Sequence, residues 1–415
     1  MADAATTTNY QAPEGLGTYA TRALFVGAVG LALALVVSLL AGGIVEFFRA
    51  YLVGFFFVCG LAVGSLAWLM LGHLTGGAWG LVTRRVFEAA TRTLPVVFVL
   101  FLPVVVALFV HDHGHALYEW TNREAVATDA ALRHKSKYLN IPFFIVRAVF
   151  YFAIWGLFTY LMNKWSAQQD TTGDPRVRRL MQDVSAPGIL LFGLTSTFAA
   201  IDWGMSLEPH WFSTIYGLIA MAGWGLSALA FAITIVVMLS EREHLRDVYQ
   251  PSHLHDLGKL LLAMVMLFAY FAFSQFLIIW AGNLPEETQF YLRRLKGGWQ
   301  FVGLALILFH FALPFVLLLS RGRKRRGGGL RRVAILMLLM RVVDLIFMFA
   351  PASQQGGHEG AAAGIPLRDF LTMALATAGV GGIWLWFFLR ELRRRPLLPL
   401  GAPDLEKALA ATAHH

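Results

Sequence analysis

Three stretches of this chain, Ala23–Val45, Val184–Ile201 and Trp211–Ser240, contain no aspartate, glutamate, lysine or arginine. A helix crosses the hydrocarbon core of a bilayer in roughly 20 residues. Apolar runs of that length can satisfy their backbone polar groups there only within a helix or a closed barrel. Further apolar segments recur at about 50–72, 93–110, 140–162, 258–281, 297–320, 331–350 and 369–389, giving ten candidate spans. With 57% apolar residues, 14% charged residues and a mean hydropathy of +0.61, the composition is not that of a soluble domain. The pattern predicts an all-α, polytopic membrane protein. The first span follows a polar N-terminus, is too long for a signal-peptide core and lacks a small-x-small cleavage site, so it reads as retained.

Basic residues orient such a chain, because lysine and arginine accumulate in cytoplasmic loops. Ten spans divide them into 22 on the side of the termini and 9 on the other side. The remaining three, Arg147, Lys259 and Arg341, lie in or at the edge of spans. Both termini are therefore expected in the cytoplasm. The expected layout is a tail over 1–20, a transmembrane domain over 21–392 and a second tail over 393–415. The net charge of +9 is then a topology signal and not a nucleic-acid footprint. The run from Arg321 to Arg332 reads as a solvated cytoplasmic loop, with an anionic-lipid site as the less favoured reading.

Cofactor chemistry is sparse. The single cysteine, Cys59, lies inside a span, which excludes thiolate iron–sulfur ligation, covalent haem and internal disulfides. Of 13 histidines only His310 is well inside a span, so paired histidines for haem b are missing. The alternating histidines of His111-Asp-His-Gly-His115 read first as an interfacial loop beside Tyr118 and Trp120, and only second as a metal site. No metal is assigned.

Ionisable groups inside the membrane are costly and point to function. Arg147 falls about seven residues into the fourth span, with Tyr151 four residues on and on the same helix face. Arg341 and Asp344, three apart in the ninth span, either neutralise one another or relay protons. His310 joins these as a proton-path candidate, although a packing role is the commoner one for such a histidine. Lys259, near a span end, can snorkel.

Two polar patches fall on the outer side. The connector Ile201-Asp-Trp-Gly-Met-Ser-Leu-Glu-Pro-His-Trp-Phe-Ser-Thr-Ile-Tyr216 carries Asp202, Trp203, Glu208 and His210 between two hydrocarbon-length segments. Burial would raise the pKa of Asp202, whereas pairing with Arg147 would lower it. The second patch, Trp280 to Arg294, holds Asn283, Glu286, Glu287, Arg293 and Arg294. Pro285 suits the first position of a short interfacial helix, and the two glutamates suit its first turn.

These segments, together with Leu257-Gly-Lys259, Phe273-Ser-Gln-Phe-Leu-Ile-Ile-Trp280, Asn283-Leu-Pro-Glu-Glu-Thr288, His134-Lys-Ser-Lys-Tyr-Leu-Asn140 and Gly76-Gly-Ala-Trp-Gly80, resemble the integral membrane subunits of bacterial alternative complex III. Length and span count resemble the smaller quinone-type subunit, which is related to polysulfide-reductase-type membrane anchors. The similarity covers about residues 20–395.

The resemblance implies two four-helix bundles plus two peripheral helices in the bacterial cytoplasmic membrane. It also implies a respiratory complex that oxidises a quinol, menaquinol or ubiquinol. Electrons would pass to haem c and iron–sulfur proteins on the periplasmic side, beside a paralogous ten-helix subunit, and on to cytochrome c or a terminal oxidase. In that setting the chain is not catalytic alone. Oxidising a quinol releases two protons and calls for bases near its hydroxyls. Asp202 and His210, with Glu208 and Trp203 beside them, are the expected outer-face site. Asn283, Glu286, Glu287, Arg293 and Arg294 are expected to dock partner subunits. The competing classes are a secondary transporter built on Arg147, Arg341 and Asp344, and a purely structural anchor.

Overall fold

The computed structural model describes residues 10–13, 15–112, 115–241, 249–355, 367–403 and 405. The long helices are α1 (Leu16–Ala41), α2 (Ile44–Thr75), α7 (Ile141–Thr172), α8 (Pro175–Trp203), α9 (Tyr216–Ser240), α10 (Pro251–Gly282), α15 (Gly327–Phe349) and α16 (Leu367–Leu392). A composite helix runs from α12 (Trp299–Ala305) through π-helical turns at Leu306–Ala312 into α13 (Leu313–Leu319). Nine helices among the described residues are long and apolar enough to cross a membrane. The chain is a multi-pass helical membrane protein.

The segment expected to span at 93–110 is built differently. α3 (Ala78–Thr91) and α4 (Leu94–Ala107) meet at a bend of 43° and reach span length only together, so the count is nine, or ten with this pair as one. Pro95 explains the break. It has no N–H to donate, and its ring opposes a helical carbonyl four residues back, at Thr91, where α3 ends. The pair runs beside α2 in the opposite sense. The Tyr51 hydroxyl donates to the Leu100 carbonyl at 2.8 Å, while Trp68 stacks on Phe87 near the other end. Other boundaries move as well. α1 starts at Leu16, inside the expected tail, and α9 starts at Tyr216 rather than Trp211.

Local chemistry sets the turns. Gly173 ends α7 in the left-handed region (φ 61°), the Asp174 side chain caps the Arg176 N–H, and Pro175 opens α8. Asn140 caps α7 by accepting from the Phe143 N–H at 3.0 Å. α11 (Pro285–Arg294) opens at the expected proline with Glu286 and Glu287 in its first turn. At the same end a two-residue hairpin pairs β1 (His111–Asp112) with β2 (His115–Ala116); His113 lies outside the described residues. Two short helices follow, α5 (Arg123–Thr128) and α6 (Ala130–Lys135). α14 (Arg321–Arg325) sits at the opposite end.

α2 and α9 form the centre: 89% and 78% of their most apolar windows are buried, against 28% for α1 and 22% for α10. Close contact there uses small residues, as is usual where lipid supplies no hydrophobic drive. A Cβ on Gly60 would come within 2.3 Å of the Trp224 ring. The seam between α1 and α16 is tighter still, because a Cβ on Gly27 would meet the Ile383 nitrogen at 2.7 Å and one on Gly382 the Ala23 carbonyl at 2.6 Å. The Leu397 N–H donates to the Tyr10 carbonyl at 2.8 Å, so the described parts of the two tails meet at one end of the molecule.

Gly382→Leu is expected to destabilise the protein by about 1–3 kcal/mol through overpacking. Gly381→Leu, whose added Cβ meets nothing within 4 Å, should leave stability unchanged. Thermal unfolding of the two variants in detergent checks this, and equal melting temperatures would overturn the close-packing account.

Candidate functional site

Asp202 lies in the last turn of α8 with no exposed surface. A carboxylate at a helix C-terminus opposes the helix dipole and, when buried, needs a partner. Arg147, projecting from the second turn of α7, supplies it as a two-pronged clamp, Nε to Oδ2 at 2.8 Å and Nη2 to Oδ1 at 2.9 Å. Tyr151, one turn along α7, donates its hydroxyl to the same Oδ2 at 2.8 Å. The guanidinium also donates to the Tyr138 carbonyl at 3.0 Å and stacks on the rings of Tyr138 and Phe143, at 3.9 and 4.2 Å from their centroids. Asp202 is thus an ion-paired carboxylate with its strong acceptor sites engaged.

Trp203 is fully buried, in contact with Phe55, Phe101, Phe152 and Trp155. Its carbonyl accepts from the Tyr118 hydroxyl at 2.9 Å. It is a core aromatic bound into the bundle.

After Trp203 a short 3-10 turn, Met205–Leu207, redirects the chain. Glu208 comes out buried and facing α11, where Arg294 Nη2 binds Oε1 at 2.8 Å and Arg293 Nη1 binds Oε2 at 3.1 Å. Arg294 itself is 1% exposed and reaches further, to the carbonyls of Phe347 at 3.1 Å and Met348 at 2.5 Å. Those carbonyls close α15, so the cation satisfies groups that the helix leaves unpaired and complements its dipole. Burial lowers the Arg294 pKa and the neighbouring Glu208 opposes that shift. One arginine therefore joins the connector, α11 and α15.

His210 turns the other way. It is exposed, with Nε2 at 2.7 Å from Asp129 Oδ2 and Nδ1 at 3.8 Å from Glu119, so its partners are these acids and not Asp202. The hydrogen bond from His210 holds the Asp129 carboxyl below its ordinary range. Lys135 anchors the same loop by donating to the Pro209 carbonyl at 2.5 Å. In the second patch Asn283 ends α10 in a left-handed conformation (φ 49°), and Asn283 and Glu286 are exposed. The patch therefore divides: Arg293 and Arg294 turn inward onto Glu208, while Asn283 and Glu286 face out.

The expected intramembrane candidates form two groups. Arg147 and Tyr151 belong with Asp202. Arg341, Asp344 and His310 lie around Phe268: the guanidinium sits 4.7 Å from that ring and the imidazole stacks edge-on at 4.7 Å. Arg341 Nη1 donates to Asp344 Oδ2 at 2.5 Å, the i, i+3 pairing expected from the sequence. Its Nε and the Nε2 of His310 are buried without a hydrogen-bond partner. Room for the guanidinium comes from Gly223, where a Cβ would fall 2.2 Å from Nη2.

Sequence reasoning missed a third polar cluster, at the end that holds the tails. Glu88 of α3, with no exposed surface, accepts from Arg84 Nε at 2.9 Å, Arg85 Nη1 at 2.6 Å and the Ser166 hydroxyl at 2.6 Å. Arg84 also holds Gln169 at 2.9 Å, and Arg85 pairs with Asp170. A carboxylate three and four residues after two arginines was the available signal. Beside this cluster a cavity of about 280 Å³ is lined by His73, Arg84 and Arg178 among others. No group of three metal-ligating side chains occurs among the described residues.

No protein-family model matches the chain, and a search of curated proteins returns no match.

Arg147→Ala would strand the buried Asp202 charge and is expected to cost about 3–5 kcal/mol. Removing both partners with Arg147→Met and Asp202→Leu should recover most of that loss, and a double-mutant cycle on thermal stability measures it. At the surface, a lowered folded-state pKa means that the Asp129 contribution is complete above the ordinary carboxylate range and is lost as pH falls through its lowered value. His210→Ala should return the Asp129 titration toward 3.8, as followed by NMR of labelled aspartate.

Proposed function

We propose that the chain is the smaller quinone-type membrane subunit of a bacterial quinol-oxidising complex of the alternative complex III type. In this reading it crosses the cytoplasmic membrane ten times, with both tails in the cytoplasm. The even count is supported by the Tyr10–Leu397 hydrogen bond, which requires the tails to share one side. The tenth crossing is the bent α3–α4 pair. Electrons run on haem and iron–sulfur partners, and the chain contributes a proton route and an outer docking face.

The observation that carries the reading is the unit of Arg341, Asp344 and His310, which keeps two unpartnered nitrogens among hydrocarbon-length helices. Each orphan buried donor costs about 1–3 kcal/mol, and the Glu88 cluster carries such atoms as well, Arg85 Nε and Asp170 Oδ1. Unsatisfied polar atoms in such a place suit a water or a moving proton. The neighbouring π-helical turns at Leu306–Ala312, which carry His310, are a feature often found at functional sites. Asp344 lies one turn before Met348, whose carbonyl Arg294 holds while binding Glu208. Protonating Asp344 frees Arg341, and the outward course leads through Tyr216, whose hydroxyl sits against Gly204 of the connector. In this scheme Asp202 shapes the outer wall and His210 stays on the surface, where a quinol or its released protons meet the chain.

A structural-anchor reading has one observation in its favour: Asp202 and Glu208 are both fully engaged by arginines, which stiffens the outer face.

Asp344→Asn in the intact complex separates the two. The proton-route reading predicts normal assembly with haem-bearing partners and a fall in proton-coupled turnover of about 100-fold or more. Asp202→Asn should lower quinol oxidation as well. Undiminished turnover and proton release in both variants would leave the anchor, and a chain that purifies alone would overturn the complex altogether.

A further inference from the structure

Between α4 and α7 an apolar groove of about 680 Å³ opens on the outside of the bundle. It exists because α4 leaves α3 at the 43° bend and because α7 presents Ala153 and Gly156 there. A Cβ on Gly156 would meet nothing within 4 Å. The walls are Pro95, Phe98, Val149 and Phe152, and both Phe98 and Val149 are exposed. From Val149 to Asn163 the groove follows 15 residues of helix, a rise of about 21 Å. That exceeds one leaflet of a roughly 30 Å core.

The head of the groove is different in kind. Arg92, Lys164 and Arg395 line it at the end that holds the tails, and no carboxylate lines it. Arg92 is shared with Glu391, at 2.9 Å, and Arg395 lies 3.7 Å from Glu88, which two other arginines already bind. Lys164 is exposed, rests over the Tyr160 ring at 5.6 Å and has no carboxylate partner among the described residues. An apolar slot of acyl-chain length that ends in an excess of cations matches one ligand class. We propose that it binds a phospholipid with an anionic headgroup from that leaflet, the acyl chain lying along α7 and the phosphate meeting Lys164 and Arg395. A neutral quinone ring has no use for three cations, and a partner helix would have to bring its own acids. The site is independent of the quinol-complex reading.

The test uses the full chain, with whatever subunits it purifies with, in phosphatidylcholine vesicles. These contain either phosphatidylglycerol or phosphatidylcholine with a photoreactive acyl chain, and labelled peptides are mapped by mass spectrometry. Phosphatidylglycerol should label residues 94–102 and 149–160 more strongly than phosphatidylcholine, by about five-fold per cation engaged. Lys164→Glu should abolish most of that difference. Gly156→Trp should fill the slot and remove label from both probes there, while label on α10 is retained. Equal labelling by the two lipids, or a Lys164→Glu variant that labels like the parent, would overturn headgroup recognition. Absence of label from the groove in the parent protein would show that a partner subunit covers it, and would overturn the proposal outright.

Discussion

Every buried carboxylate among the described residues is held by an arginine from close by: Glu88 by Arg84 and Arg85, Asp202 by Arg147, Glu208 by Arg293 and Arg294, and Asp344 by Arg341. Removing a charge from water is affordable only when a counter-charge and hydrogen bonds replace the solvent. That constraint organises the bundle. Two of the clamps are within one helix and cost little chain entropy. The other two join separate elements and so fix where the helix ends sit, α7 against α8 and α11 against the connector and α15.

The clamps differ in how completely they close. Around Asp202 two guanidinium nitrogens, a tyrosine hydroxyl and two stacked rings leave little to reorganise. Around Asp344 one short contact is made, and two nitrogens nearby stay unsatisfied. The polar groups that the connector displays so conspicuously in the sequence are thus the more fully hydrogen-bonded, and the less conspicuous group in α15 is the less so.

Much of this was legible from the residues. Uninterrupted apolar runs, the Arg341–Asp344 spacing and the Arg147–Tyr151 face all follow from helical periodicity, and Pro285 marks its helix start. What failed was reasoning that treated proximity in sequence as proximity in space. Asp202 and His210 are eight residues apart, yet the 3-10 turn between them sends one inward and the other to Asp129. Similarly, Arg84, Arg85 and Arg92 look like loop charges that orient the chain. They lie instead in or beside a helix that is largely buried. The apolar helix after them reaches span length only together with α3, from which the bend at Pro95 separates it. Charge counting places residues on a side of the membrane, but it is blind to whether that side is water or protein.

The glycine seam between α1 and α16 joins the first described helix to the last. During synthesis α1 enters the bilayer long before α16 exists, and most of its surface is suited to lipid. It can lean on α2, which follows it directly, but its closest seam forms only when α16 arrives to lie against Gly27. Closure of the molecule is then a late event at four small residues, Gly27 and Gly30 of α1 and Gly379 and Gly382 of α16. A membrane insertase or a partner subunit that held α1 in the meantime would act on folding without touching any site in the finished protein.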